Sequence, residues 1–300
     1  MSKFAAKFIN VAGRVLRKIP NVPGKSLYSK TLLKPIIHRW DIEHILPIRS
    51  GESKLICRLT DWIPWNIYLH GSYIVEESYE KFLLETAAQC NTIFDVGANI
   101  GYYTVQFARK TDGTVYAFEP MDYQYDTLLR NLELNSLDNV KPIKKIVSDR
   151  EGKERIYFSG MENTAASSVV NETDEFESIP SISLDKFCAS NQIGQIDLIK
   201  IDVEGYELHV LKGLEKMLKH QKVSHLFIEI VERHLNKAGT YAKEVFNFLK
   251  QNQYEGFSIK TGDLEPYQSG SDESLVYFKP KPVELSSSKK TKSKLKAEVK

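Results

Sequence analysis

Three hundred residues, 42% of them hydrophobic and with a negative mean hydropathy, make one large soluble domain or two small ones. No run of 18 or more apolar residues occurs, so a transmembrane helix is not expected. The net charge of +2 is unevenly spread: residues 1–40 hold nine Lys or Arg and no acid, residues 286–300 hold six Lys and one Glu, and the body is left at −12. That acidic body argues against a catalytic face for a long polyanion, so nucleic acid is not an expected partner. Cys57, Cys90 and Cys188 have no CxxC spacing and an odd count, which disfavours a zinc site or a disulfide framework and fits a reducing, cytoplasmic setting.

In chain order, residues 3–19 space Phe4, Phe8, Val11, Val15 and Ile19 as on a helix, with Lys3, Lys7, Arg14, Arg17 and Lys18 largely on other faces and Pro20 as a stop. A basic amphipathic helix of this kind packs on the body, lies on an anionic membrane surface, or serves as a transit peptide; all three readings stand at this point. Residues 20–50, with Pro20, Pro23, Pro35 and Pro47, read as a connecting arm, so 1–50 forms one N-terminal unit. Residues 51–92 form a lead-in expected to cover the sheet edge, with strands at Leu55–Leu59 and Trp65–Leu69 and a helix over 76–90. Its Trp62, Trp65, Tyr68 and Tyr73 fill a core or line a substrate pocket.

From residue 93 to 280 strands and helices alternate. Strands are expected at 93–97, 114–119, 141–147, 196–202, 225–230, 256–260 and 274–279, and helices at 101–110, 122–135, 183–190, 205–220 and 241–252. Such alternation predicts a doubly wound, mostly parallel seven-stranded sheet with helices on both faces and an antiparallel edge hairpin formed by the last two strands. Ile156-Tyr157-Phe158 and Ser181-Ile182 read as short strands flanking a Ser/Thr/Asn-rich loop at 163–173, and residues 281–300 as a disordered Ser/Lys-rich tail.

Three stretches carry chemistry. In Thr92–Gly101 an apolar strand ends in Asp95 and a glycine-spaced turn, Gly97-Ala98-Asn99-Ile100-Gly101, opens a helix. Gly97 permits close approach of a ligand, Asn99 tolerates a positive φ, and Gly101 lets the helix pack on the strand. Asp95 meets a cationic group or braces the turn. At the tip of the next strand, Val115–Phe118, Glu119 is suited to accept hydrogen bonds from both hydroxyls of an adenosine ribose. In Ile196–Glu207 a third strand ends in Asp202 and Glu204, facing the crevice where strand order reverses. These two acids orient a cofactor, bind a metal or accept a substrate proton, unless Glu204 merely caps the following helix. Glu229, ending a fifth strand, and His234 just beyond are further candidate bases, although His234 reads more simply as a surface residue and His209 as a packed or exposed one.

Phe94–Thr104, Ala117-Phe118-Glu119-Pro120 and Ile199–Glu207 with Val210-Leu211-Lys212-Gly213, in this order and spacing, resemble the FkbM family of S-adenosyl-methionine-dependent methyltransferases. The Ser183-Leu184-Asp185 step, Asn131–Asn135 and Asn139-Val140 fit the same pattern, and the resemblance spans roughly residues 70–260. It implies a class I methyltransferase (Rossmann-like) fold and methyl transfer mostly to oxygen, often a hydroxyl of a sugar or other small natural product. It also implies that Asp95, Gly97, Asn99 and Gly101 line the methionine and ribose side of S-adenosyl-methionine, that Glu119 holds the ribose and that Ser148 and Asp149 reach the adenine. Asp202 would lie near the transferred methyl, with Asp202, Glu204 and Glu229 as catalytic candidates and no metal ligand set. A dehydrogenase is disfavoured by the absence of GxGxxG; a nucleic-acid methyltransferase lacks its Asn/Asp-Pro-Pro-Tyr or Pro-Cys segment; a non-catalytic cofactor-binding adaptor is the remaining alternative.

Overall fold

The computed structural model describes residues 11–13, 15–16, 31, 43–48, 53–72, 77–157, 176–260, 263–267 and 273–282. The proline arm, the 163–173 loop and the lysine tail therefore lie almost wholly outside the described residues, as does most of the 3–19 helix. Residues 11–13 and 15–16 are helical, with Val11 and Val15 exposed, Gly13 against the Tyr68 ring and Leu16 packed on the core.

An antiparallel pair precedes the helices of the lead-in: β1 (Glu43–Pro47), a strand within the stretch expected as a connecting arm, and β2 (Lys54–Arg58), whose alternating burial follows the two-residue period of a half-buried strand. Next come α1 (Trp62–His70) and α2 (Glu77–Ala87). Residues 65–69, expected as a strand, thus belong to a helix. The run is apolar on every side, so it carries neither a helical nor a strand period, and burial decides its form.

The body runs β3 (Thr92–Val96), α3 (Tyr102–Lys110), β4 (Thr114–Phe118), α4 (Asp122–Leu134), β5 (Val140–Ile143), β6 (Ile146–Val147), β7 (Gly152–Tyr157) and β8 (Phe176–Ile182). It continues through α5 (Leu184–Ser190), β9 (Ile196–Ile201), α6 (Glu207–Lys212), α7 (Glu215–Lys219), β10 (Val223–Val231), α8 (Glu232–Lys237), α9 (Ala242–Gln251), β11 (Tyr254–Lys260), β12 (Asp263–Pro266) and β13 (Glu273–Pro280). The main sheet has the order β12-β11-β13-β10-β9-β3-β4-β5, parallel from β10 to β5 and antiparallel where β13 enters between β10 and β11. It has eight strands rather than the expected seven, because β12 folds back on β11 and adds a short edge strand. The expected 141–147 strand is split: β5 stays in the main sheet while β6 joins β8 and β7 in a separate three-stranded sheet. The expected 205–220 helix divides into α6 and α7 around Gly213, where a side chain would collide with the Ser148 carbonyl.

The central strands bury both faces. Ile93, Val115, Leu198 and Phe227 join one core with Leu83, Phe107 and Leu128; Phe94, Phe118, Ile199 and Ile228 join the other with Phe187, Leu211 and Leu249. Such strands are near-continuous apolar runs, as expected of a parallel sheet covered by helices on both sides. The β1–β2 pair is fastened to α4 by two asparagines. Asn131 Oδ1 accepts from Ile56 N at 2.6 Å while its Nδ2 donates to Ile56 O at 3.1 Å, and Asn135 does the same for Lys54 at 3.0 and 2.7 Å. Asn131 also donates to Ile100 O at 2.8 Å, so one buried amide ties β2, α4 and the glycine turn together.

Candidate active site

Strand order reverses between β3 and β9, and the carboxyl ends of these two strands with β4 and β10 enclose the candidate site. The glycine turn after β3 uses three left-handed residues, Gly97 at φ 84°, Asn99 at φ 51° and Gly101 at φ 90°. Asn99 behaves as expected, and its side chain accepts from Ile100 N at 2.8 Å. Contacts within the fold also require the two glycines. A Cβ on Gly97 would collide with the Asp202 carbonyl oxygen, so its bare backbone admits the segment after β9. A Cβ on Gly101 would stand 2.6 Å from Leu128 Cδ1, so this residue seats α3 against α4, not against the strand.

Asp95 is fully buried. Its Oδ2 accepts from Thr104 Oγ1 on α3 at 2.6 Å, and its Oδ1 has no hydrogen-bond partner among the described residues. Asp95 stands directly opposite Lys200 in the β3–β9 ladder. Lys200 is buried, lies over the Tyr103 ring and is 2.9 Å from Asp202 Oδ2. Burial works against its charge, but Asp202 and Asp95 outweigh it and raise the ammonium pKa. Asp95 shifts upward because burial exceeds the help of Lys200 and Thr104.

Asp202 and Glu229 form a hydrogen-bonded carboxyl pair across β9 and β10. Burial disfavours the Asp202 anion, yet Lys200, the bond from Glu229 and the nearby His234 hold it below the usual carboxylate range. Burial and the Asp202 charge push Glu229 well above that range. The two carboxyls are thus pushed apart, Asp202 toward its charged form and Glu229 toward its protonated one, as two acids at close range are.

Glu119 ends β4 with both oxygens engaged once: Oε2 accepts from Asn99 N at 2.8 Å and Oε1 from Met121 N at 3.0 Å. Burial pushes its carboxyl up to about 7. Glu204 adopts φ 54° and does not cap α6; its Oε2 lies 2.7 Å from His234 Nδ1. The bracing role falls to Glu207, whose Oε1 accepts from Gly205 N at 3.0 Å. Ser148 and Asp149 form a separate group: Ser148 N–H donates to Ile182 O at 3.0 Å, its Oγ donates to Asp149 Oδ1 at 3.2 Å, and Tyr206 OH lies 3.4 Å from that Oγ. Tyr206 in turn hydrogen-bonds Glu154 and packs on His209.

The fold thus gathers Asp95, Gly97, Asn99, Glu119, Asp202, Glu204 and Glu229 around one crevice. Lys200 is absent from the sequence reading, and His234 stands in it only as a secondary candidate base. Lys200 carries a signal, being a cation inside an apolar strand two residues from Asp202 and hence on the same face. For His234 the sequence offers only its place just past a strand that ends in an acid; the fold brings the start of α8 beside Glu204. Among the described residues no cluster of His, Cys, Asp or Glu is suited to hold a metal.

Sheet order and the carboxylate-lined crevice at its reversal point define a class I methyltransferase fold. The family model described as Methyltransferase FkbM domain matches residues 95–256, more than half of the chain, and the chain belongs to that family. It is 31% identical to the hexuronic acid methyltransferase AglP of Haloferax volcanii, covering 59% of this chain and 68% of that protein. It is 30% identical to the methyltransferase sdnD of Sordaria araneosa, covering 41% of this chain and 60% of that one. A solved FkbM methyltransferase from Methylobacillus flagellatus KT is 16% identical with a TM-score of 0.42, covering 63% of this chain and 43% of the other. No helix among the described residues is long and apolar enough to cross a membrane.

Proposed function

We propose that this chain is an S-adenosyl-methionine-dependent O-methyltransferase acting on a hydroxyl of a sugar or glycan. The observation that carries the reading is the Asp202–Glu229 carboxyl pair, balanced by buried Lys200 and set beside the glycine turn where strand order reverses. A cluster of acids around one buried cation is poorly suited to a polyanion and well suited to a cationic cofactor head and a neutral hydroxyl. The hexuronic acid relative supports a sugar as the acceptor class.

The residues present fit the cofactor. Asp95 Oδ1 is a buried acceptor without a partner among the described residues, as an ammonium donor requires. Each Glu119 oxygen holds a single N–H and keeps acceptor capacity for ribose hydroxyls. Ser148 and Asp149 are assigned to the adenine side. When bound, S-adenosyl-methionine supplies a methyl group activated by the positive charge on sulfur. The chain's own contribution is to orient the acceptor hydroxyl, exclude water and provide for the departing proton. In this reading Asp202 orients the hydroxyl, Lys200 keeps Asp202 ionised, and Glu229 retains its proton so that no second charge competes.

The test pairs calorimetry with S-adenosyl-homocysteine and mass spectrometry of glycosides incubated with enzyme and S-adenosyl-methionine. The parent should add one methyl to a glycoside hydroxyl. Asp202→Ala should lower turnover by roughly 100-fold or more, in line with the loss of a proton-handling or orienting group, while the homocysteine compound still binds. Equal turnover by variant and parent at saturating cofactor would remove Asp202 from the reaction.

A further inference from the structure

The segment after β9 holds a backbone strain that the roles above leave unexplained. Glu204 lies in the left-handed region at φ 54°, followed by Gly205 at φ 104°. A non-glycine residue there is strained and persists only where its surroundings impose it. Two contacts impose it here. Glu207 Oε1 accepts from Gly205 N at 3.0 Å, and a Cβ on Gly205 would collide with the His234 carbonyl, so the segment is pressed flat against the start of α8. The result is a carboxylate–imidazole contact, Glu204 Oε2 to His234 Nδ1 at 2.7 Å. The other ring nitrogen, Nε2, accepts from Arg233 Nε at 3.2 Å. With a carboxylate at Nδ1 and an N–H donor at Nε2, the contacts suit the tautomer that carries its proton on Nδ1, whose Nε2 lone pair faces the exposed Arg233.

The carboxyl pair is badly placed to receive a proton. Asp202 is already engaged by Lys200 and lies beside Glu229, and burial together with the Asp202 charge favours the protonated form of Glu229. His234 sits close enough to act electrostatically on Asp202, and its side chain is 22% exposed against 17% for Asp202.

We propose that His234 Nε2, backed by Glu204, takes the proton from the acceptor hydroxyl, with Glu204 as the positioning residue of the pair. The proposal rests on the O-methyltransferase reading and deepens it. The acceptor O–H bond breaks, its proton passes to Nε2, and its oxygen bonds to the methyl carbon. The carbon–sulfur bond breaks with its electron pair left on sulfur, which becomes a neutral thioether. One positive charge thereby moves from sulfonium to imidazolium, where the Glu204 carboxylate stabilises it, and the proton is then lost to water.

The experiment uses the full chain, S-adenosyl-methionine and a panel of methyl glycosides of neutral hexoses and hexuronates. His234→Asn keeps an N–H donor for Glu204 but has no base at the Nε2 position, so it separates a structural histidine from a reacting one. His234→Asn and His234→Gln should each lower kcat by roughly 100-fold or more, with S-adenosyl-homocysteine affinity within about threefold of the parent. Added imidazole should restore part of the activity of His234→Ala. Near-parental kcat in His234→Asn, or a loss matched by lost cofactor affinity and unrelieved by imidazole, overturns the proposal. Independently, long-range proton–nitrogen spectra of histidine-labelled protein should show His234 protonated at Nδ1, moving toward the Nε2 form in Glu204→Gln; an Nε2-protonated parent overturns it as well. If the parent methylates none of the glycosides, the sugar-hydroxyl reading fails, and the spectra alone decide whether the pair exists.

Discussion

Lys200 decides the electrostatics of the site. It is buried between Asp95, its partner across the ladder, and Asp202, two residues along its own strand. Removing one member of a buried ion pair costs about 3–5 kcal/mol, because the remaining charge is left uncompensated. Lys200→Met should therefore destabilise the protein by about that amount in urea unfolding, and adding Asp95→Asn to Lys200→Met should recover part of the loss. A Lys200→Met variant as stable as the parent would show that Asp95 and Asp202 are neutral without it. This residue also marks what the sequence makes visible at this scale. Asp95, Glu119 and Asp202 stand out as acids ending apolar strands, and the structure places all three at one end of the sheet. Lys200 lies in plain sight within the same motif, but its role depends on a cross-strand neighbour 105 positions away in the chain, which no local pattern encodes. The contact of His234 with Glu204 is hidden for the same reason.

At the scale of elements, the alternation of apolar strands and amphipathic helices is legible because both faces of the sheet must be covered. What escapes is wherever the backbone answers to a distant contact. Gly213 ends α6 because the Ser148 carbonyl occupies the place of its side chain, and the 62–70 segment is helical because it is apolar all round. Asn131 shows the converse, a polar residue on the buried side of an amphipathic helix. Its amide supplies hydrogen bonds to both backbone groups of Ile56 and to the Ile100 carbonyl of the glycine turn. Asn131→Ala strands these groups away from water at about 1–3 kcal/mol each when fully buried. A loss of about 2–4 kcal/mol in denaturant unfolding is expected, together with weaker S-adenosyl-homocysteine binding by calorimetry, since the turn loses its anchor at Ile100. Loss of stability with unchanged binding would show that the turn is held by Glu119 and α3 alone.

For the molecule as a whole, burying so many acids at one end of the sheet couples stability to pH. Glu119, pushed by burial from the ordinary glutamate value to about 7, binds its proton more tightly in the folded chain than in the unfolded one. The stabilisation this confers is fully present below the unfolded value of about 4.5 and is lost as pH rises through about 7. Asp95 and Glu229 act in the same direction. His44, His209 and His225, lowered by burial, oppose it, because their contribution grows as pH rises through the ordinary histidine range. The raw pH profile therefore mixes two signs, and a single replacement separates them. Glu119→Gln cannot ionise, and its amide loses one of the two N–H contacts at every pH. Its stability relative to the parent should accordingly climb by about 3 kcal/mol between pH 4.5 and 8, read as the difference between paired urea titrations. Saturating S-adenosyl-homocysteine should flatten that climb, because ribose hydroxyls donating to Glu119 favour its ionised form in the folded protein. A flat difference without ligand would mean that Glu119 is already ionised in the fold; an unchanged slope with ligand bound would place the ribose elsewhere.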